Sequence, residues 1–319
     1  MKAVRVHTTG GIDKLTIEEI PVPVAKPGEV VVKNAFIGVN YIDIYHRTGL
    51  YPLALPVVLG REGSGVVESV GEGVSDLAVG DRVGYLGSHS YAEYNAVAAI
   101  HVVKLPAGME LEKGAACLLQ GLTAGYLVFD SYKVQRGDFV VVPAAAGGTG
   151  SLICQLAKLQ GATVIGIVST EKKVQIAKDN GAAHVLLTSA DITAEILKIT
   201  GGRGAHVVYD GVGMALYEQL RKSLGKRGMY VSFGNAGGLI EKVNPADLIP
   251  KCLSFMRPVL FQYLETREEV LDLTSRVLPL IESGKLNIQI HKIYDFDNVA
   301  QAHQDLEGRG TTGKLLLKL

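Results

Sequence analysis

The sequence predicts a two-domain α/β protein, in which a small barrel of β-strands accompanies a doubly wound parallel sheet. Before about Leu122, short runs rich in valine and isoleucine alternate with glycine turns, which is typical of a small barrel. These runs are Lys2–His7, Leu15–Ile20, Val30–Phe36 and Gly65–Val70. Strands then alternate with helices, and the final helix and strand are expected to return to the first domain. We therefore expect one domain of residues 1–122 and 265–319 and another of residues 123–264.

A glycine turn organises the second domain. Phe139 to Val142 is a short β-branched run, typical of a buried parallel strand. Ala145, Gly147 and Gly150 then follow at the spacing of the glycines in G-x-G-x-x-G. A helix and the strand Thr163–Val168 complete a βαβ unit. Later strands are predicted at His184–Leu187, Ala205–Asp210, Gly228–Phe233 and Leu253–Leu260, which makes six in total.

The chemistry of this turn favours a dinucleotide cofactor. A small residue at Ala145 permits the tight turn, Gly147 lets the backbone approach a pyrophosphate, and Gly150 lets the helix pack against the sheet. The free N–H groups of the helix would then face the phosphates. The alternative is a turn that is merely compact, but the flanking strands and helix favour cofactor binding.

Other strand ends are expected to meet the same crevice. Asp210–Gly213 follows the fourth strand, and Phe233–Asn235 follows the fifth. In a doubly wound sheet the ligand lies beyond the carboxyl ends of the strands, where the strand order reverses. Each glycine could be an ordinary turn residue, but three such ends together favour a site.

The end of the second strand indicates which cofactor binds. NAD sites tend to carry an acidic residue there, whereas this strand ends in Ser169, with Lys172 and Lys173 just beyond. A hydroxyl and cations suit a 2′-phosphate, since charge-assisted hydrogen bonds are the stronger kind. Glu171 could instead serve a ribose. We favour NADP(H) over NAD(H).

Composition excludes several other classes of protein. Lysine plus arginine equals aspartate plus glutamate, and no basic run stands out, so nucleic acid is not an expected partner. No apolar run could span a membrane, and the N-terminus lacks a signal-peptide core. Cys117, Cys154 and Cys252 are expected to be buried free thiols. We expect a soluble cytoplasmic protein.

One stretch of the first domain, Gly38–Tyr51, is unusually polar and aromatic. It carries Asn40, Asp43, Tyr45, Arg47 and Tyr51. From the residues alone, a site and a structured loop whose polar groups satisfy one another are equally good interpretations. His46 alone is better explained as structural, and Glu62 could simply pair with Arg61 or another base.

Together these segments resemble the zinc-independent quinone oxidoreductases (NADPH:quinone reductases, ζ-crystallin-like) of the medium-chain dehydrogenase/reductase superfamily. The resemblance covers essentially the whole chain, and it is carried by Gly38–Tyr51, Gly60–Val67, Ala144–Lys158, Val208–Gly213, Val231–Asn235, Arg257-Pro258 and Thr312–Lys314. It implies a chaperonin-10-like β-barrel catalytic domain, a Rossmann domain, NADPH in a cleft between them, and a homodimer.

The resemblance also implies site residues by position. Ala145, Gly147, Gly148, Thr149 and Gly150 would hold the pyrophosphate, and Ser169, Lys173 and Arg309 would hold the 2′-phosphate. Thr123, Gly211, Phe233 and Asn235, with Asn40 and Tyr45, would surround the nicotinamide and the quinone. The expected catalytic residues are Asn40 and Tyr45, together with Asp43, Tyr51 and Arg257 nearby. Many relatives have a tyrosine near the 2′-phosphate where this chain has Thr188, which keeps a hydroxyl with a shorter reach.

The implied reaction needs no metal. Zinc alcohol dehydrogenases of the superfamily have a cysteine ligand around Asn40 and a histidine at Arg61, and neither is present. We therefore expect hydride transfer from NADPH to a quinone, with Tyr45, Asn40 or water bonding the developing oxyanion. One alternative is an NADPH-dependent reductase of alkenal or enone double bonds. Another is a crystallin-like, cofactor-binding protein with a structural or RNA-binding role.

Overall fold

The computed structural model describes all residues from Met1 to Leu319 and contains two compact units. The first consists of Met1–Leu122 and Leu264–Leu319, and the second of Thr123–Tyr263. Leu264, which the sequence places in the second domain, therefore lies with the first unit. No helix combines the length and the hydropathy needed to cross a bilayer.

The chain forms sixteen strands and eight α-helices. The strands are β1 (Lys2–Val6), β2 (Thr16–Glu19), β3 (Glu29–Val39), β4 (Val57–Val58), β5 (Glu62–Val70), β6 (Arg82–Leu86), β7 (Tyr94–Ala98), β8 (Val102–Lys104), β9 (Phe139–Pro143), β10 (Thr163–Val168), β11 (His184–Leu187), β12 (Ala205–Asp210), β13 (Leu224–Ser232), β14 (Ser254–Met256), β15 (Ile290–Asp295) and β16 (Lys314–Lys318). The helices are α1 (Tyr41–Thr48), α2 (Leu111–Tyr126), α3 (Gly148–Leu159), α4 (Val174–Asp179), α5 (Ile192–Ile199), α6 (Met214–Ser223), α7 (Arg267–Glu282) and α8 (Val299–Glu307).

The first unit is built on two sheets. One has the order β2-β1-β4, and the other has the order β15-β16-β3-β5-β6-β8 with β7 also paired to β3. The C-terminal strand β16 pairs with the end of β3, so that Leu315 lies opposite Val39. The tail thus returns to the first unit, and it supplies Leu315 and Leu317 to a core shared with Val4, Ile37 and Tyr91. This pairing holds the carboxyl end of β3, where the candidate site begins.

The second unit is one parallel six-stranded sheet in the order β11-β10-β9-β12-β13-β14. In terms of strand succession this is 3-2-1-4-5-6, as the alternation of strands and helices predicts. The sheet is buried on both sides because its strands are runs of valine and isoleucine, with Val141, Ile165 and Val208 in one core cluster. The order reverses between β10 and β12 across β9, so the carboxyl ends of these strands border the switch point.

Three local features refine or correct the expectations. The segment after β3 contains the helix α1, whose start is fixed because the Asp43 carboxylate accepts the N–H of Asn40 (2.8 Å). Pro279 lies inside α7, and a proline is expected to bend or interrupt a helix, but α7 continues to Glu282 with Leu278 and Ile281 buried on either side of the proline. Cys252 is exposed rather than buried, because it caps the short 3-10 helix before β14 in a left-handed conformation (φ 51°).

A capping box opens α7. The Thr266 hydroxyl accepts the N–H of Glu269, and the Glu269 carboxylate accepts the N–H of Thr266. The sixth strand is also present, although it is shorter than expected. It spans only Ser254–Met256, and the chain leaves the sheet at Arg257-Pro258, where proline cannot donate to a strand partner.

Candidate functional site

The turn between β9 and α3 is closely packed at its glycines, above all at Gly150. A Cβ atom at Gly150 would lie 2.3 Å from the carbonyl oxygen of Ala144, so only glycine lets the helix begin this close to the strand. A Cβ atom at Gly147 would meet only Ala144, with the same oxygen at 3.1 Å. Gly147 is the N-cap of α3, so the N–H groups of Gly148 and Thr149 open the helix. Such N–H groups and the helix dipole generally attract anions, so the prediction that they hold a pyrophosphate is compatible with this geometry.

Ala145 occupies the place of the usual first glycine, and its methyl group takes up space beside the neighbouring strand β10. Its side chain is fully buried, and its N–H donates to the Ile167 carbonyl at 3.1 Å. On the adjacent strand a Cβ atom at residue 166 would lie only 2.8 Å from the Ala145 Cβ, and that residue is Gly166. The extra methyl group is thus accommodated by a glycine on β10. The space left by Gly166 is the physical reason that alanine can replace the first glycine of G-x-G-x-x-G without displacing the turn.

The end of β10 presents the residues predicted to hold a 2′-phosphate. Ser169 follows the strand and is exposed, and Lys173 lies half-buried at the start of α4. Partial burial lowers the pKa of Lys173. Thr188 lies at the end of the adjacent strand β11, where its N–H donates to the Val168 carbonyl (2.9 Å). The structure therefore brings Ser169, Lys173 and Thr188 to the ends of adjacent strands, whereas Arg309 belongs to the first unit.

The ends of β12 and β13 form two turns that are bonded to each other. Phe233 and Gly234 donate their N–H groups to the Asp210 carbonyl, at 2.8 and 3.3 Å. Gly211 lies against Phe233, since a Cβ atom there would be 2.9 Å from the Phe233 ring. Asn235 is buried, and its carbonyl accepts the N–H of Gly238 at 3.0 Å. These turns lie at the carboxyl edge of the parallel sheet, as the sequence predicts.

Two further residues predicted to belong to the site lie in the second unit, Arg257 and Thr123. Arg257 donates from its guanidinium to the carbonyl of Ser232, the last residue of β13, at 2.6 Å. Its charge lowers the pKa of Asp210 at the end of β12, although burial, the larger effect, raises that pKa. Thr123 is buried at the start of the unit.

In the first unit, Asn40 is already engaged by a buried ion pair. Its amide nitrogen donates to Glu62 (3.1 Å) and to the Gly38 carbonyl, and its oxygen accepts the Lys314 ammonium (2.6 Å). Lys314 also donates to Glu62, and neither side chain has any exposed surface. The other Glu62 oxygen accepts the N–H of Leu119. The cluster therefore joins β3, β5, β16 and α2, and the Asn40 amide has no free donor directed at a substrate.

Lys314 is the partner of Glu62 and Asn40 that the residue-level reasoning missed. Glu62 was expected to pair with Arg61 or another base, and the base is Lys314, 252 residues away in the chain. Arg61 instead donates to the Ser88 hydroxyl. A lysine that opens the apolar last strand was the available signal, because buried lysines require a partner.

Asp43 lies at the end of a chain of buried hydrogen bonds. Its carboxylate accepts the Tyr91 hydroxyl at 2.9 Å, and that hydroxyl is 3.0 Å from His303 Nε2. Arg47 can only donate, so His303 Nδ1, 3.3 Å from it, accepts, and the His303 proton resides on Nε2. Burial raises the pKa of Asp43 to about 7 and lowers the pKa of His303 to about 3.

These bonds give Asp43 a structural role. The carboxyl group is 0 % exposed, and its partners are a backbone N–H and a tyrosine hydroxyl. Both bonds are made by Oδ2, and they fix the first turn of α1. The catalytic role given to Asp43 stays a prediction. Arg47 fixes the other end of the helix through the Gly10 carbonyl and Glu307.

The aromatic side chains on and after α1 complete this region. The Tyr45 ring centroid lies 5.7 Å from that of Tyr41 and 5.1 Å, edge-on, from that of Tyr51. Tyr45 is largely buried, whereas Tyr41 and Tyr51 are half-buried. Burial and the nearby Arg61 lower the pKa of His46 to about 4, so the His46 imidazole is neutral at pH 7. The region thus offers aromatic surfaces and a phenol. No three His, Cys, Asp or Glu side chains of the chain are grouped as a metal site.

Comparison with known proteins agrees with these features. Residues 26–136 match the family model described as "Alcohol dehydrogenase GroES-like domain", and residues 148–276 match "Zinc-binding dehydrogenase". The "Probable quinone oxidoreductase" of Schizosaccharomyces pombe is 41% identical over 316 residues, which cover 98% of this chain and 96% of the relative. A "2-haloacrylate reductase" of Burkholderia sp. is 36% identical, with 98% and 97% covered.

Solved structures give the same result. The Escherichia coli quinone oxidoreductase complexed with NADPH superposes with a TM-score of 0.97 at 37% identity, and the match covers 100% of both chains. The predicted combination of a GroES-like (chaperonin-10-like) barrel domain with a doubly wound parallel sheet is thereby confirmed, as is the resemblance on which it rested. The chain belongs to the quinone oxidoreductase family of the medium-chain dehydrogenase/reductase superfamily.

Proposed function

We propose that this protein uses NADPH to reduce quinones by hydride transfer. The observation that carries the proposal is the turn from Ala144 to Gly150, in which a glycine that cannot be replaced brings the start of α3 to the switch point of the sheet. Relatives that share this chain's whole length are named quinone oxidoreductases, and one of them is solved in complex with NADPH.

The residues of the second unit suit the parts of NADPH. The N-terminus of α3, with Gly147, Gly148 and Thr149, suits the pyrophosphate, because its N–H groups are directed outwards and carry a partial positive charge. Ser169 and Lys173 suit the 2′-phosphate, one as a hydroxyl donor and the other as a cation. When bound, NADPH supplies the hydride.

The first unit would supply the quinone with orientation and a hydrogen-bond donor. A quinone is electron-poor, so it accepts hydride without a Lewis acid. Tyr51 and Tyr45 offer aromatic surface for a flat ring, and the Tyr45 hydroxyl is our choice of donor to the developing oxyanion. Asn40 is the weaker choice because Lys314 and Glu62 already bond its amide.

A second reaction is favoured by one relative. The protein named "2-haloacrylate reductase" is 36% identical, and an acrylate is an activated alkene. In such a reaction the hydride goes to the β-carbon and a proton goes to the α-carbon, which the Tyr45 hydroxyl or water could deliver. The same side chains serve both reactions, so the acceptor that is turned over distinguishes them.

We propose a homodimer assembled through the edge of the parallel sheet. The edge strand β14 is short, and apolar residues that flank it are exposed: Ile249 by 72 % and Val259 by 54 %. An open edge beside apolar surface is the usual setting for pairing with a second copy.

We also propose a cytoplasmic location. Cys117, Cys154 and Cys252 are all free thiols. Burial raises the pKa of both Cys117 and Cys154 to about 12, so these two thiols are inert. Free thiols are typical of a reducing compartment.

Replacing Lys173 tests the assignment of the cofactor. We expect Lys173→Met to raise the Kd for NADPH about 10-fold, because a half-buried charge-assisted hydrogen bond is lost, and to leave the Kd for NADH unchanged. Fluorescence titration measures both. Lys172→Met is the matched control, since Lys172 is the exposed neighbour in the same short helix. Equal weakening of NADPH and NADH by Lys173→Met would place the 2′-phosphate elsewhere.

Replacing Tyr45 tests the proposed donor. We expect Tyr45→Phe to lower kcat for a quinone by at least about 10-fold, since one oxyanion donor is lost, with the Kd for NADPH unchanged. Tyr41→Phe, in the neighbouring ring of the same helix, is the control. Asn40→Ala tests the weaker choice in parallel. If Tyr45→Phe and Asn40→Ala both leave quinone turnover intact, the oxyanion role is wrong for both side chains.

Sedimentation tests the dimer. The wild-type chain should sediment at micromolar concentration as a species of twice the 34.0 kDa monomer mass. Ile249→Asp combined with Val259→Asp should shift it to monomer, because charged carboxylates oppose burial at the edge. Val24→Asp, at an apolar residue 82 % exposed in the first unit, is the control and should remain dimeric. A monomeric wild-type chain would refute the assembly.

A further inference from the structure

The carboxylate at the end of β12 is buried and bonded only to neutral donors. Asp210 is 0 % exposed. One carboxylate oxygen accepts the N–H of Val212 (2.8 Å), and the other accepts the Tyr230 hydroxyl (2.6 Å). Gly213 donates its N–H towards both oxygens, at 3.1 and 2.9 Å. Burying a carboxylate costs free energy unless donors surround it. The donors collected around Asp210 therefore hold the backbone after β12 in one specific conformation.

The backbone of the same residue holds the neighbouring turn. The Asp210 carbonyl accepts the N–H groups of Phe233 and Gly234, which follow β13. The side chain of Asp210 therefore orders the turn after its own strand, whereas its main chain orders the turn after the next strand. One residue connects two of the strand ends that border the switch point.

Further hydrogen bonds join the turn after β12, residues 211–214, to the turn after β13. Ala236 donates to the Gly211 carbonyl at 3.2 Å, Gly237 donates to the Val212 carbonyl at 2.6 Å, and Met214 donates to the Gly238 carbonyl at 2.9 Å. Each of these bonds requires the 211–214 turn to keep its path. Gly213 has a φ of 90°, which favours glycine, and the Asp210 carboxylate holds its N–H there.

We propose that Asp210 is a positioning residue of the cofactor site, whose carboxylate sets the turn 211–214 and, through it, the places of Phe233 and Asn235. The inference rests on the proposed function, because it assumes that these turns border the bound NADPH. Asp210 does not itself meet the cofactor, since it has no exposed surface. Removing its charge should loosen the nicotinamide end of the site and leave the end of β10 unchanged.

Asp138 offers a matched control within the same sheet. It precedes β9 at the opposite, amino edge of the sheet, and it is also buried. Its carboxylate accepts one backbone N–H, from Gln135 (2.8 Å), where that of Asp210 accepts two, and like that of Asp210 it accepts one tyrosine hydroxyl, from Tyr132 (3.2 Å). Asp138→Asn thus removes a comparable set of bonds from the same unit without touching the turns at the carboxyl edge.

The experiment compares Asp210→Asn, Asp138→Asn and wild type in titrations with NADPH and NADH, below their thermal transitions. We expect Asp210→Asn to raise both Kd values about 10-fold, because bonds to a charged group are lost, and to preserve the preference for NADPH over NADH. Asp138→Asn should stay within about twofold of wild type. Loss of the NADPH preference in Asp210→Asn would show a general collapse and overturn the inference, as would an unchanged Kd or an equal effect of Asp138→Asn.

Two further measurements keep the outcome decisive. Tyr230→Phe removes one donor and keeps the carboxylate. It should raise the Kd for NADPH, but by less than Asp210→Asn does. If Asp210→Asn does not fold, an unchanged Kd for NADPH in Tyr230→Phe would overturn the inference. Hydrogen exchange without cofactor should be faster at Val212, Gly213 and Phe233 in Asp210→Asn alone. Unchanged exchange there refutes positioning. Failure of wild type to bind NADPH would refute the proposed function instead, and the exchange rates would still decide the role of Asp210.

Discussion

The contact between the Ala144 carbonyl and Gly150 is the constraint on which the second unit depends. With a Cβ distance of 2.3 Å, no other residue type leaves the path of the backbone unchanged at position 150. This contact lets α3 begin within a few residues of the end of β9, so its first N–H groups lie at the switch point of the sheet. The anion site that we propose here would therefore be a consequence of backbone packing, with no charged side chain required in the turn.

Several candidate residues of the first unit lie on a short helix, which needs contacts with other segments to stay folded. Eight residues make a marginal helix, and α1 is held at its start by Asp43 and at its end by Arg47. The buried pair of Lys314 and Glu62 secures Asn40 just before it. Each of these buried polar groups is costly to bury. Together they hold α1, the helix that carries Tyr45.

Local sequence patterns were sufficient for the strand order and the glycine turn of the second unit, and insufficient for the contacts between side chains of different elements. The strand order and the glycine turn follow from periodicity and spacing within about thirty residues, which is the size of a βαβ unit. A lysine in an apolar strand signals that it needs a partner, but Glu62 lies 252 residues away, so no local pattern identifies that partner. The methyl group of Ala145 fits because of Gly166 on the adjacent strand, and the spacing of the turn alone does not show this contact. Asp210 was visible in the sequence, but only the structure shows that one residue bonds to two turns.

The most direct test of the account is the purified protein's turnover of NADPH and NADH, each supplied in parallel with 9,10-phenanthrenequinone, 1,4-benzoquinone and a 2-alkenal. The account predicts oxidation of NADPH that depends on the quinone and exceeds the oxidation of NADH. Turnover confined to the 2-alkenal would assign the protein to the alkene reductases. Equal or better use of NADH would contradict the role given to Ser169 and Lys173, and cofactor binding without turnover of any acceptor would contradict the proposed reaction altogether.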